Sequence, residues 1–106
     1  MAKTAVNFRS NEFIKLCEMH RVKELYAFGS VVNGNFTENS DIDLIVDIDE
    51  PNPLFKGKLI LSLYNKFEKL FNKKIDLLTI DSIRNPTLEE YIGTTKQLIY
   101  PQSANK

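Results

Sequence analysis

Cysteine is almost absent from this sequence of 106 residues: Cys17 stands alone, so an internal disulfide framework is excluded. Histidine is limited to His20, and no Cys/His pair has the spacing of a zinc site. No run approaches the roughly 18 apolar residues of a membrane span, and residues 1–9 lack the apolar stretch of a secretory signal. These absences predict a soluble domain in a reducing, cytoplasmic setting.

Glycine and proline are scarce, with four of each, which excludes collagen-like and low-complexity classes. A surplus of charge is missing too, because 14 basic residues balance 14 acidic ones. Proteins that bind along nucleic-acid phosphates usually carry a basic surplus, so extensive nucleic-acid binding is not expected. The length and a hydrophobic content of 42% predict one folded domain over residues 1–106, with a loose tail over about 102–106.

The neutral total conceals a segregation of charge along the chain. Residues 38–50 contain six acidic and no basic residues, whereas residues 51–75 contain six lysines and one glutamate. The lysines are predicted to form the solvated face of a helix. The alternative is a positive rim that steers a triphosphate or an acidic acceptor toward a nearby site.

The spacing of apolar residues predicts alternating helices and strands. Helices are expected over residues 11–20, 54–72 and 86–92. Strands are expected over residues 25–28, 41–48, 75–80 and 97–100, with a loop over 33–40. Ser10 is a suitable N-cap, Pro86 suits a first helical turn and Gly93 suits a C-terminal cap. This order predicts an α+β fold in which helices cover one face of a small mixed β-sheet.

The strand over residues 41–48 carries the most informative pattern. Asp41 and Asp43 are two residues apart, so their side chains leave the same face of the sheet. Close carboxylates repel each other unless a cation lies between them, and oxygen ligands suit a hard ion such as Mg²⁺ or Mn²⁺. Asp76, early in another strand, would complete a site for two ions about 3.5–4 Å apart. The alternative is a solvent-facing strand with ordinary surface acids.

A glycine and a serine follow the first predicted strand. Gly29 lacks a Cβ and permits close approach of the backbone. Ser30 would open a short helical turn that presents N–H groups and a hydroxyl to an anion. A phosphate cradle beside a metal site is the minimum machinery for phosphoryl or nucleotidyl transfer.

Together these motifs resemble a known signature. Phe28-Gly-Ser, ten intervening residues and then Asp41-Ile-Asp resemble the DNA-polymerase-β-like nucleotidyltransferase superfamily. The chain resembles in particular its minimal nucleotidyltransferases, which are often encoded beside HEPN-domain proteins as antitoxins. The resemblance extends over most of the chain and implies a polymerase-β-like fold.

The resemblance also implies an activity. It implies a nucleotidyltransferase that uses Mg²⁺, with two ions, to move AMP from ATP to a hydroxyl. That acceptor hydroxyl, for instance of a tyrosine, would belong to a HEPN-type partner protein, and pyrophosphate would be released. The implied metal ligands are Asp41, Asp43 and Asp76, of which Asp76 would also help deprotonate the acceptor. The implied nucleotide contacts are Gly29, Ser30 and Ser40.

One departure from the family pattern supports an alternative function. Family members usually have a small residue and then a basic one in this loop, whereas this sequence has Val32 and Asn33 before Gly34. The alternative is a catalytically weak or inactive protein of the same fold that neutralises a partner by binding. A metal-dependent nucleotide hydrolase is a third reading, disfavoured because no His or Glu is evidently placed to activate water. Acceptor choice would come from a partner or an oligomer.

Other chemically capable residues are predicted to have structural roles. His20 lies on the apolar stripe of the first helix, so a core or boundary position is expected. Cys17 is expected to be a small core residue. Asp47 and Asp49 are expected to be solvated.

Overall fold

The computed structural model describes residues 7–33, 37 and 39–101. The helices and strands are α1 (Asn11–Met19), β1 (Val22–Phe28), α2 (Ser30–Asn33), β2 (Ile42–Ile48), α3 (Pro53–Phe71), β3 (Ile75–Thr79), α4 (Pro86–Thr95) and β4 (Gln97–Tyr100). A 3₁₀ turn, Ile80–Ser82, follows β3. The predicted order of helices and strands is confirmed, and the 3₁₀ turn is an addition to it.

The four strands of the described chain form one mixed sheet in the order β3-β2-β1-β4. β1 pairs with β2 and with β4 in antiparallel fashion, whereas β2 and β3 are parallel. Parallel strands need a crossover connection, and α3 provides it between β2 and β3. The predicted α+β class and mixed sheet are therefore confirmed.

The main core lies between the sheet and the two helices α1 and α3. Alternate residues of β1 and β2 point to this face and are fully buried, among them Leu25 and Leu44. Phe13 of α1 and Phe67 of α3 stack with their ring centroids 5.5 Å apart. Burial of these apolar stripes is the main source of stability for this layer.

The third long helix, α4, packs on the opposite face of the sheet. Its Ile92 forms a smaller buried cluster with Phe28 of β1 and Ile45 of β2. The expectation that helices cover one face thus holds for α1 and α3 and not for α4. The physical reason is that Phe28 and Ile45 have the opposite strand parity to the main core and are also apolar, so they need a cover of their own.

Helix boundaries follow the capping residues, with one exception. The Ser10 hydroxyl accepts a hydrogen bond from the Phe13 N–H at 3.1 Å, which confirms its role as N-cap of α1. The prediction that Gly93 caps α4 is wrong, because α4 continues to Thr95 and its C-cap is Lys96. The Lys96 N–H still donates to the Ile92 carbonyl at 2.7 Å. Gly93 keeps a helical backbone because β4 begins directly after the cap, leaving no loop for an earlier turn.

The two residues predicted to be structural have such roles. His20 is buried, with Nδ1 2.8 Å from the Leu16 carbonyl and Nε2 2.9 Å from the Ser62 hydroxyl. Cys17 is fully buried, and burial raises the pKa of its thiol to about 12. Both expectations are therefore confirmed.

Some expectations fall outside the described residues. These are the family match at Gly34, the side chains of Ser30 and Asn33, and the tail over 102–106. Within the part of the chain that the structure describes, no helix is long and apolar enough to cross a membrane.

Candidate active site

The pairing of β2 with β3 brings two of the predicted acids side by side. In this parallel ladder Asp43 is the direct partner of Asp76. Neighbouring strands lie about 4.8 Å apart, and partners in a ladder point to the same face. Asp41 immediately precedes β2 and shares the parity of Asp43. The structure therefore gathers Asp41, Asp43 and Asp76 at one end of the sheet, on the face opposite α1 and α3.

The electrostatics of Asp43 reflect this crowding. Asp43 is half-buried, whereas Asp41 and Asp76 are exposed. The pKa of Asp43 is raised above its usual value, first because burial disfavours its charged form and then because of the nearby charges of Asp76 and Asp41. The ion pair of Lys56 with Asp81 and that of Arg21 with Glu50 involve other acids. Among the residues that the structure describes, neither of these ion pairs involves Asp43, and the charges that raise its pKa are those of two other acids.

Gly29 lies directly against Asp43. Its φ of +74° is a conformation that side chains other than glycine rarely adopt. A Cβ built at Gly29 would be 2.5 Å from the Asp43 carboxylate oxygen Oδ2. The backbone turns here, since the Val32 N–H donates to the Gly29 carbonyl at 3.1 Å and begins the short α2. Glycine at this position is therefore required both by backbone geometry and by the space that Asp43 occupies.

Ser40 lies in the turn that leads into β2. Its hydroxyl accepts a hydrogen bond from the Thr37 N–H at 2.9 Å, and its own N–H donates to the Thr37 carbonyl at 3.1 Å. These bonds shape the turn just before Asp41. The predicted nucleotide contact of Ser40 stays a prediction, as do the roles of Gly29 and Ser30.

The chemistry of the acids fits divalent cations. Among the described residues, no three His, Cys, Asp or Glu side chains already converge on one point as a complete ligand cluster. The exposed side chains of Asp41 and Asp76 can nevertheless change rotamer at small cost, since they are not packed. A divalent cation between the acids would relieve the repulsion that raises the pKa of Asp43. The donor set consists of oxygen only, which suits hard ions.

The departure at Val32 concerns the core rather than the site. Val31 and Val32 are partly buried and pack against the main core cluster. The larger side chain at position 32 is thus accommodated by packing on the opposite side of the sheet from Asp43. The substitution of valine for a small residue therefore does not obstruct the acids.

Two acids are paired on parallel strands, a third directly precedes one of these strands, and a glycine lies at the strand-to-helix turn; this arrangement in an α+β fold fits a nucleotidyltransferase. The family model described as "Polymerase beta, Nucleotidyltransferase" matches residues 11–105. The chain therefore belongs to this family, as a nucleotidyltransferase of the minimal type. Members of the family typically use a divalent metal.

Curated relatives agree with this assignment. A protein of Methanocaldococcus jannaschii, named provisionally as a protein adenylyltransferase, is 42% identical over 86 residues, which are 80% of this chain and 82% of that protein. The protein adenylyltransferase MntA of Thermococcus cleftensis is 34% identical over 71 residues, covering 67% of this chain and 69% of the relative.

Solved structures share the fold. A minimal nucleotidyltransferase structure has a TM-score of 0.58 at 29% identity, covering 79% of this chain and 82% of that one. A chain of a toxin–antitoxin crystal structure with AMP-PNP has a TM-score of 0.69 at 23% identity, covering 92% of this chain and 75% of that one. Another similar chain belongs to a complex of a tri-AMPylated HEPN toxin of Shewanella oneidensis with its MNT antitoxin, at a TM-score of 0.58, 20% identity, 87% of this chain and 69% of that one.

A pocket on the face of the sheet that carries the acids was not predicted from the sequence. A pocket of about 190 Å³ lies between β2, the 3₁₀ turn and α4. Its apolar lining comes from residues that no short motif links: Ile45, Ile80, Ile83 and Ile92. The sequence signal was weak because isoleucine in these positions looks like ordinary core.

Proposed function

We propose that this chain is a Mg²⁺-dependent protein adenylyltransferase that moves AMP from ATP to a hydroxyl on a HEPN-type partner protein. The observation that carries the proposal is the register of Asp43 with Asp76 on parallel strands, with Asp41 on the same face and Gly29 in contact with Asp43. Relatives named as protein adenylyltransferases support the choice of AMP and of a protein acceptor. A similar chain in a complex with AMPylated HEPN toxin supports the class of partner.

In this proposal, Asp41, Asp43 and Asp76 would hold the divalent ions, which would supply charge neutralisation at the triphosphate. The backbone at Gly29, which carries no Cβ, would approach the phosphates beside Asp43. The acceptor oxygen forms a bond to the α-phosphorus, the bond from that phosphorus to the bridging oxygen breaks, and pyrophosphate leaves. Asp76 is exposed and is the residue that takes the acceptor proton.

The proposal is tested by intact-mass spectrometry of a candidate HEPN-type partner protein. The two proteins are incubated with ATP and Mg²⁺, and we expect the partner to gain the mass of one or more AMP groups. Chelation of the metal and the variant Asp43→Asn should each abolish the gain. The matched control is Asp49→Asn, an exposed acid beyond the end of β2, which should keep it.

The binding-only alternative has a distinct outcome. It predicts no ATP-dependent change in the partner's mass, together with neutralisation of the partner that survives Asp41→Ala and Asp43→Asn. Rapid ATP turnover without any acceptor would instead favour a hydrolase. Either result would contradict the proposed transfer reaction.

A further inference from the structure

A groove of about 410 Å³ lies between α1 and α3, and we call it the α1/α3 groove. Its floor is apolar, because Leu16 of α1 and Leu70 of α3 line it and are half-buried. Met19, the last residue of α1, also lines the groove and is 63% exposed. Contiguous apolar surface that stays accessible to water is typical of an interaction site.

The two helices run antiparallel on either side of this groove. His20, just after α1, has Nε2 2.9 Å from the Ser62 hydroxyl, whereas Phe13 in the first half of α1 lies 6.0 Å from Phe71 at the end of α3, measured between ring centroids. The part of α1 that lines the groove, residues 12–19, rises by about 10 Å. The groove is therefore long enough to hold about two turns of a third helix.

The rim of the α1/α3 groove is basic. Lys15, Lys66 and Lys69 line it and are exposed, and Glu12 is the one acidic residue among the described lining residues. Of the ion pairs in the described part of the chain, that of Arg21 with Glu50 and that of Lys56 with Asp81, neither involves these lysines. An apolar floor between lysines is complementary to a segment that carries both apolar and acidic side chains.

The terminal segments of this sequence are not complementary to the groove. Residues 1–6 and 102–106 contain Lys3 and Lys106 and no acidic residue, so they would bring like charge to the lysines. A nucleic acid would match the lysines but not the floor, because single strands stack their bases on aromatic side chains. The described lining residues include no aromatic one. A helical segment of another protein fits both the charge and the floor.

We propose that the α1/α3 groove is a docking site for an acidic amphipathic helix of a partner protein. Apolar residues of that helix, spaced at i, i+3 or i+4 and i+7, contact the floor, and its flanking carboxylates pair with Lys15, Lys66 and Lys69. α1 and α3 cover the face of the sheet opposite to the three acids, so a docked helix leaves the candidate active site open. The docking site does not depend on the transfer reaction.

The binding test uses a helical peptide of about 15 residues, with leucines at i, i+3, i+4 and i+7 and glutamates beside them. A second peptide has glutamine in place of every glutamate. We expect the acidic peptide to shift the methyl signals of Leu16, Met19 and Leu70 saturably, with no shift of Ile92 on the other face of the sheet. The glutamine peptide should bind about tenfold more weakly. Absence of the shifts, or equal binding of the two peptides, overturns the proposal.

Two pairs of variants locate the binding site. Lys66→Glu should weaken binding of the acidic peptide about fivefold, whereas Lys58→Glu, an exposed position of α3 outside the groove, should change it less than about twofold. Met19→Gln should weaken binding too, whereas Leu54→Gln should not; Met19 and Leu54 are 63% and 66% exposed, so neither change disturbs the core. Equal effects within either pair overturn the proposal.

Two other occupants have outcomes of their own. A single-stranded oligouridylate that shifts the same methyls at lower concentration than the acidic peptide would assign the groove to nucleic acid. A second copy could offer α4, where Leu88 and Tyr91 are exposed beside Glu90. Sedimentation of the chain that depends on its concentration, and no longer does so in Met19→Gln, would assign the groove to that copy. Either result overturns the proposal, and no ATP or Mg²⁺ is needed, so failure of AMP transfer leaves the test intact.

Discussion

At the scale of single residues, the contact between Gly29 and Asp43 is the tightest constraint on the site. The positive φ of Gly29 disfavours any other residue, and the Asp43 carboxylate occupies the space that a Cβ would need. Asp43 in turn carries a raised pKa because of burial and the charges of Asp76 and Asp41. A constraint on backbone conformation, at Gly29, and an electrostatic one, at Asp43, thus act on two residues in contact.

Gly29→Ala should damage both stability and transfer. The left-handed conformation costs a residue with a Cβ about 1–2 kcal/mol, so the free energy of unfolding should fall by at least that amount. Displacement of the Asp43 carboxylate should lower AMP transfer about tenfold or more. Urea denaturation and the mass-spectrometric assay measure the two effects. Gly57→Ala, in open helical surroundings, should instead raise stability by up to about 1 kcal/mol, and equal behaviour of the two variants would contradict the argument.

Asp43→Asn should stabilise the metal-free protein at neutral pH. Because the pKa of Asp43 is raised in the folded state, its contribution to stability is present below the unfolded pKa and is lost as pH rises through the folded pKa. The check is the melting temperature of each protein, measured against pH in the presence of a chelator. At pH values above the ordinary carboxyl pKa, the melting temperature should fall less steeply with pH in the variant than in the wild type. Mg²⁺ should stabilise the wild type more than the variant. Parallel pH profiles for the two proteins would count against the repulsion among these acids.

At the scale of elements, asparagine caps decide where two helices begin. Asn52 and Asn85 each precede a proline at the start of a helix. The Asn52 side-chain oxygen accepts from the N–H groups of Leu54 and Phe55 at 2.9 and 3.2 Å. α3 ends at Phe71, and its C-cap Asn72 has a φ of +53°, the left-handed conformation common after helices. These caps hold the crossover that makes β2 and β3 parallel.

Asn52→Ala should lower the free energy of unfolding by about 1 kcal/mol, because two N–H groups lose their acceptor. The same substitution at Asn65, exposed in the middle of α3, should have the opposite sign, since alanine is the better helix former by a few tenths of a kcal/mol, roughly. Chemical denaturation of the two variants checks the pair. Destabilisation of the same size at both positions would show that capping is not the cause.

At the scale of the whole molecule, the two faces of the sheet differ in what covers them and in the side chains that they carry. α1 and α3 bury one face in the main core, while the other face carries the acids, α4 and the pocket between β2, the 3₁₀ turn and α4. The main core is built around Phe13 and Phe67, which are fully buried and stacked. The main core therefore lies on one side of the sheet, and the acids of the candidate active site lie on the other.

Phe67→Ala should remove a large part of the stability of the fold. Truncating a fully buried phenylalanine typically costs about 3–5 kcal/mol, against a total of roughly 5–15 kcal/mol for a domain. Leu61 on the same helix is 62% exposed, and Leu61→Ala should change the free energy of unfolding by no more than about 0.5 kcal/mol. Urea unfolding followed by circular dichroism measures both. Similar costs at the two positions would contradict the assignment of the core.

Some structural features of this protein were predictable from its sequence, and others were not. The parity of Asp41 and Asp43 and the cap at Ser10 were predictable because each depends on neighbours in sequence. The prediction that Gly93 caps α4 was wrong because a glycine near a helix end indicates a cap only when a turn follows. Here β4 follows the helix and its C-cap directly. Ile45, Ile83 and Ile92 carried no signal of a pocket, since they come from elements far apart in the chain.

The sequence by itself determined the elements, the α+β class and the family motif, because strand parity, capping and turn residues are local properties of the chain. Only the tertiary structure decided that β2 and β3 pair in the register that opposes Asp43 to Asp76, and that Asp43 occupies the space beside Gly29. It also placed α4 on the face that carries the three acids, away from α1 and α3. These features depend on long-range packing, because the apolar residues on both faces of the sheet must each be buried by a helix.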